Sequence, residues 1–467
     1  MPSTLSRRTL LSAAGAAGAG AAGFALAACG PQPAGSTPAG GQFKEAVTIE
    51  FAHRWEGVRE PLIQQQVDGF ANVQPNIKVL PQLLFCSGSS ETCLGGMDLG
   101  KITAQIAADT PPDVFMVFST NAADFAARGS LKNLNDLAKR DKLDLPKTFY
   151  PALVQMATHK GSAIGFPQLS AGDRPYLYMS NEVWQASGLD PKNPPKNWEE
   201  LVTFGQKMAV KGAGPGGFER LGFDPDVTFL DWAGRNNAKI LSDDATKALF
   251  NNQEAHDALQ WMFNAAQQLY GKWENRGEFM RAAASTGTGG GRAPYYTNKV
   301  GMWNTGVWHF FEIKGEKQIH NPNFEYTAAL VPHNAKNPQA KPASLADGVW
   351  LYSLPANTRK AEAAYEWLKY VTLGEGNRLF VKAQNRPSPA IKINEDPDFS
   401  KDNPFWNTVV KRALELMVPL PQTPAWPKVG GVLTKMQGEV LGGAKAPREA
   451  LAEAAREAQL ALDEFKR

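Results

Sequence analysis

Twelve tryptophans in a chain of 467 residues supply many flat apolar faces, each with one N–H donor at its edge. An indole of this kind can stack on the C–H face of a ring-shaped solute while its polar tip finds a partner. Trp308 follows a Gly-containing turn, and Trp426 stands between Pro424 and Pro427, which exposes rather than buries a side chain. Both are read as stacking residues, with Trp232 in Phe229-Leu230-Asp231-Trp232-Ala233-Gly234 as a second-tier candidate. Trp350 begins a strand and either lines a cleft or packs behind it. Trp198, Trp261 and Trp367 fall on helical stripes and Trp303 lies inside a strand, so these four are assigned to the core.

Chemistry of other kinds finds little support. The chain has no Gly-x-Ser-x-Gly elbow and no His-Glu-x-x-His, and its six histidines show no ligand pairing. Gly287 to Gly291 lacks the Gly-Lys-Ser/Thr of a phosphate loop, and Asn394 to Asp398 lacks the central Gly and terminal Glu of a calcium loop. No cofactor and no metal are expected. Lys and Arg number 49 against 46 Asp and Glu, which argues against a basic nucleic-acid surface. A pair of glycosidase carboxylates leaves no motif, so an exported glycoside-acting hydrolase stands as an alternative.

The first 42 residues read as an address. Ser6-Arg7-Arg8-Thr9-Leu10-Leu11 has a twin-arginine core, followed by an Ala/Gly/Leu run without an acidic residue. Leu26-Ala27-Ala28-Cys29-Gly30 resembles the bacterial lipoprotein box, with Cys29 as the lipidated residue. Residues 1–28 are expected to be a signal peptide and 29–42 a flexible, lipid-anchored tether. The chain is therefore expected on the outer face of the cell membrane. Cys86 and Cys93 lie in a short polar loop and are expected to form a structural disulfide, since export favours that bond and no further ligands for a metal stand nearby.

The elements that must position these residues follow from periodicity. Val47–Phe51 alternates as a strand, residues 59–72 carry Ile63, Val67 and Phe70 at helical spacing, and Ile77–Leu80 is a second strand. Ile102 and Ile106 mark another helix, and Asp113–Phe118 is a continuous apolar strand. The order β-α-β-α-β implies a doubly wound α/β sheet. Its crevice lies beyond the carboxyl ends of the strands, which places Arg54-Trp55-Glu56 and Ser119-Thr120-Asn121 at the edge. A Leu/Ala-rich amphipathic helix closes the chain at 448–466.

From about residue 150 the motif order resembles the extracellular solute-binding proteins of family 1, the maltose-binding-protein-like receptors of ABC sugar importers. The resemblance is carried by His159–Pro167, Leu177–Trp184, Gly188–Pro191 with Pro194–Leu201, Val300–Trp308, Ala361–Val371 and Arg386–Pro389. Asn197 departs from the family's usual Thr, although both can cap the helix that Trp198 begins.

What the resemblance implies is a two-lobe periplasmic-binding-protein fold of type II. Each lobe would hold a mixed, mostly parallel sheet, and the two would be joined by crossing strands and close on solute by hinge motion. By that pattern lobe one holds residues 43–168 and 342–372, and lobe two holds 169–341 and 373–467. Trp308 and Trp426 match positions where an aromatic ring faces sugar, and Trp55, Glu56, Thr120 and Asn121 match strand ends that reach the cleft. Asp173 resembles a hydroxyl-binding acid, with Asp347 and Arg386 as further polar candidates. The implied activity is capture of a carbohydrate, an oligosaccharide or glycoside, with a polyol or glycerol phosphate as the alternative ligand. The implied partners are ABC permease subunits, and the receptor is expected to be a monomer without enzymatic activity.

Overall fold

The computed structural model describes residues 43–87, 93, 94, 96–169, 174–225, 228–285, 293–346 and 348–465. The leader, the tether with Cys29, and the candidates Asp173 and Asp347 lie outside these residues.

The first sheet is built from β1 (Val47–His53), β2 (Ile77–Leu83), β3 (Val114–Phe118), β4 (Phe166–Pro167) and a late strand (Trp350–Ser353), in the order β2-β1-β3-late strand-β4. β1 pairs in parallel with both β2 and β3, as the apolar run at 114–117 requires of a strand covered on both faces. The late strand returns antiparallel, setting Trp350 opposite Phe118. Helix α1 (Glu60–Val73) buries Ile63, Gln66 and Phe70 on one stripe against this sheet.

A second sheet holds β5 (Tyr176–Ser180), β6 (Val210–Lys211), β7 (Phe218–Pro225), β8 (Val300–Thr305) and β9 (Tyr326–Leu330), in the order β6-β7-β8-β5-β9. Only β7 and β8 run parallel; the other three pairings are antiparallel. The expectation of mostly parallel sheets is thus corrected here, because β5 enters against β8 and β9. The following strand is numbered β10 (Trp350–Ser353), the late strand of the first sheet.

The boundary expected at residue 372 also moves. Helix α2 (Glu375–Ala383) packs on α1, with Gln66 Nε2 donating to the Gly376 carbonyl at 2.7 Å and Phe380 lying 5.2 Å from Trp55. Farther on, Ala390 bridges Phe149 and Asn394 Nδ2 donates to the Tyr150 hydroxyl at 3.1 Å. Later in the chain, Phe405 sits 5.4 Å from Tyr326 of the second sheet. Residues of 375–394 thus keep packing against elements of the first sheet after residue 372.

Local signals behave as their chemistry dictates. Asn197 Oδ1 accepts from Glu200 N at 2.8 Å and caps the helix Trp198–Met208. Cys86 and Cys93 are bonded. Among the described residues no helix is long and apolar enough to cross a membrane.

Candidate solute-binding crevice

The carboxyl end of β1 delivers His53-Arg54-Trp55-Glu56 in one turn. His53 is buried and its Nδ1 accepts from the Trp55 backbone N–H at 3.2 Å, so burial holds the imidazole neutral with its pKa pushed down to about 4. Trp55 is only 3% exposed, its Nε1–H directed at the Tyr352 hydroxyl at 3.4 Å. Its ring is a floor and not a free stacking face: the Arg54 guanidinium stands 4.9 Å from the ring centroid and Arg59 stands 5.9 Å from it. Arg54 also lies 5.3 Å from the half-buried Trp350 ring, so two indoles clamp one cation.

Arg59 reaches across to the element that follows β8, helix α3 (His309–His320). Its Nη2 donates to Glu312 Oε1 at 3.3 Å, its Nε donates to Gln384 Oε1 at 2.9 Å, and its guanidinium sits 5.1 Å from the Phe311 ring. Arg386 is 3% exposed. Burial pulls the Arg54 pKa down to about 10, the neighbouring Arg59 and Arg386 charges push it the same way, and Glu56 opposes them.

At the end of β3, Ser119 opens the helix Ser119–Ala127. Its Oγ accepts from Val349 N at 3.0 Å and donates to Gln422 Oε1 at 2.9 Å, linking the first sheet to the segment before Trp426. Thr120 is buried and its hydroxyl donates to Asn121 Oδ1 at 3.4 Å. Trp308 is half-buried immediately before α3, with its ring tight under Gly306: a Cβ there would fall 2.0 Å from the indole. Trp308 Nε1 is buried without a hydrogen-bond partner. Trp426 begins the helix Trp426–Leu441 and is 8% exposed, less open than its flanking prolines suggest.

The structure therefore brings Trp55, Glu56 and Trp350 together around Arg54, with Arg386 in the same electrostatic neighbourhood, and places Thr120 and Asn121 beside Ser119. Trp232 is excluded. It is 1% exposed in a core cluster, 6.0 Å from Trp198 and 4.4 Å from Trp261, with Arg235 over its ring. Five of the six residues in its helix are buried, and its indole lines a small cavity together with Trp261, Tyr270 and Trp273. Sequence reasoning placed Arg54 and Ser119 at the crevice edge without a role in binding, and gave no place to Arg59, Glu312 or Gln422. The one signal available was the Arg54/Arg59 pair at a strand end, separated by Gly57.

The sequence profile of the bacterial extracellular solute-binding proteins matches residues 60–377. The chain belongs to that family. It is the solute-binding component of an ABC-type importer, a receptor and not an enzyme.

Among similar proteins, the sn-glycerol-3-phosphate-binding periplasmic protein UgpB of Yersinia pseudotuberculosis is 22% identical over 443 residues, covering 90% of this receptor and 94% of its relative. The UgpB of Agrobacterium fabrum is 27% identical over 195 residues, 41% of each chain. Among solved structures, an ABC transporter solute-binding protein from Thermotoga lettingae bound with α-D-tagatose superposes with a TM-score of 0.69 at 21% identity, covering 90% of this receptor and 100% of that chain. The cyclic α-maltosyl-1,6-maltose-binding protein of Arthrobacter globiformis gives 0.70 at 20% identity, with 90% and 100% covered. These likenesses carry the type II periplasmic-binding fold onto this receptor.

Proposed function

We propose that this receptor captures a carbohydrate, an oligosaccharide or glycoside, in the crevice described above and delivers it to an ABC permease. The reading is supported by the half-buried Trp350 beside Arg54, the Ser119–Gln422 hydrogen bond and the Arg59–Glu312 pair beside the half-buried Trp308, which bring indole, hydroxyl, amide and guanidinium groups to the ends of both sheets. Indoles suit the C–H faces of sugars, and bidentate polar groups suit their hydroxyls. The proteins similar to this one are described as binding tagatose, a cyclic maltosyl sugar and glycerol phosphate, all of them polyhydroxylated.

In this reading the closed form alone lets solute touch both sides, and solute therefore favours closure. Asp173 and Asp347 join as hydroxyl acceptors, and Trp426 backs the second side. The hinged bodies are residues 43–168 with 342–394, and 169–341 with the remainder. A twin-arginine leader directs export, and a lipid on Cys29 holds the monomeric receptor at the outer face of the cell membrane.

A thermal-shift panel of mono- and oligosaccharides tests the reading. A true solute at 100-fold excess over its Kd should add about 2.7 kcal/mol of stability. Trp308→Ala should weaken that solute by about tenfold while unfolding stays two-state. A panel without any shift overturns the carbohydrate reading.

A further inference from the structure

Two fully buried amides on α2 and just after it have both their polar atoms matched. Asn377 Nδ2 donates to the Gln168 and Val371 carbonyls at 3.0 and 3.1 Å, and its Oδ1 accepts from the Ser388 hydroxyl at 2.7 Å. Gln384 Oε1 accepts from Arg59 Nε at 2.9 Å, and its Nε2 donates to the Phe380 carbonyl at 3.3 Å. Gln168 differs. It is 0% exposed, and among the described residues it alone leaves both atoms of a buried amide without a hydrogen-bond partner. A donor and an acceptor shut away from water and left unmatched are costly, and such a group calls for an explanation.

Its place in the fold is fixed by the backbone. Gln168 N donates to the Trp350 carbonyl at 2.8 Å, which carries the antiparallel register of β4 and β10 one residue past Pro167 opposite Leu351. Residues opposite each other in such a pair hold their side chains on one face of the sheet. The Gln168 side chain therefore stands beside the half-buried Trp350 indole, the ring that has the Arg54 guanidinium 5.3 Å from its centroid. The Gln168 carbonyl is held as well, by Asn377. Beyond this residue the chain crosses to β5 of the second sheet.

We propose that Gln168 is a specificity-determining residue of the receptor, whose amide reads two neighbouring hydroxyls of the solute. Its Nε2–H donates to one hydroxyl oxygen and its Oε1 accepts from the other O–H, while the ring that bears them packs on Trp350. The inference rests on the reading of this crevice as a carbohydrate site. A vicinal diol matches an amide at both atoms, whereas a carboxylate would set a second acceptor against Oε1. The solute reaches the amide by displacing the Trp350 indole, which keeps part of its surface open. A sugar that lacks either hydroxyl leaves one amide atom unmatched and is rejected for that reason.

The test compares the full-length chain with Gln168→Leu by melting temperature and titration calorimetry. The probes are glucose, maltose, maltotriose and mannobiose, followed by the monodeoxy derivatives of the tightest binder among them. Without sugar, Gln168→Leu should melt at or above the temperature of the parent, because two unmatched atoms leave the interior. With sugar it should bind at least about tenfold more weakly. The deciding readout is discrimination: the parent should bind one or two of the deoxy derivatives about tenfold more weakly than the intact sugar, and the variant should bind them equally. Gln168→Met replaces Gln168→Leu should the latter not fold, and failure of both to fold makes Gln168 a residue of the fold and overturns the inference. Unchanged sugar affinity in a folded variant, or deoxy losses equal to those of the parent, overturns the inference alone and leaves the carbohydrate reading intact. No response of the parent to any of the four sugars overturns that reading and this inference with it.

Discussion

Two guanidiniums buried in this chain keep opposite company. Arg276 lies against Asp224 at the end of β7: its Nε donates to Asp224 Oδ1, Tyr295 donates to Oδ2 at 2.5 Å, and the carboxylate holds the guanidinium pKa above its ordinary value. Arg54, at the end of β1, has two indole faces, the neighbouring Arg59 and an exposed Glu56 around it, and burial lowers its pKa. One charge is closed within the protein and the other is left open. The tryptophans divide in the same way. Trp232 is locked among Trp198 and Trp261, whereas Trp350 keeps part of its surface beside Arg54. Arg276 supports the fold through its carboxylate, whereas Arg54 is held by aromatic faces and has no ion pair among the described residues.

The sharpest way to break that contrast is to open the closed pair. Asp224→Ala strands a buried cation and should cost about 3–5 kcal/mol of unfolding free energy, read from urea transitions. Arg54→Met removes a charge that nothing balances, so stability should stay level or rise by about 1 kcal/mol. Equal losses in the two variants would erase the distinction. For the indoles, Trp232→Ala empties a packed core and should cost about 3–5 kcal/mol with solute affinity retained in the folded fraction. Trp350→Ala should do the reverse, lowering affinity far more than stability.

The open side has a pH signature as well. Burial holds His53 neutral in the folded chain and pushes its pKa down to about 4, against 6.5 for a free imidazole side chain. Unfolded chains take up a proton on it below pH 6.5 and folded ones do not until about pH 4. Its contribution is therefore intact above pH 6.5, falls as the pH drops through that window, and is fully lost below pH 4, a total of about 3 kcal/mol. His159 and His333 are shifted the same way and add to the slope. His53→Asn keeps an acceptor for Trp55 N and should flatten the fall of melting temperature between pH 6.5 and 4. An unaltered slope would assign the effect to the other histidines.

How far the sequence carries depends on whether a feature is periodic. The alternation at Val47–Phe51, the apolar run before Ser119 and the stripes around Ile63 and Leu201 are local patterns, and each forms the element that its period requires. Strand direction in the second sheet is not local, since it depends on how the crossing segments return. For Trp232 the sequence offered no element: Phe229–Gly234 is a capped helix, with Thr228 and Asp231 in a reciprocal cap, and the indole is buried beside Trp198 and Trp261. Arg54 was legible only as a strand-end residue. Its partners lie about 300 residues away, at Trp350 and Arg386, and no spacing announces them.

The smallest effect expected concerns the disulfide. The hairpin Cys93–Leu94 and Met97–Asp98 folds back so that Cys86 N donates to the Gly96 carbonyl at 3.1 Å. Gly96 has φ +86°, and a Cβ on it would stand 3.2 Å from both Nε and Nη2 of Arg54. Gly96, next to the bonded pair, therefore stands against the Arg54 guanidinium that packs on Trp55 and Trp350. Replacing Cys86 and Cys93 by Ser should cost about 2 kcal/mol or less, since the ring it closes is short. The more telling readout is solute affinity. With the hairpin loosened, Arg54 regains rotamers beside Trp55 and Trp350, and solute affinity should fall severalfold. Loss of stability with solute affinity unchanged would make the bridge a staple for the loop and nothing more.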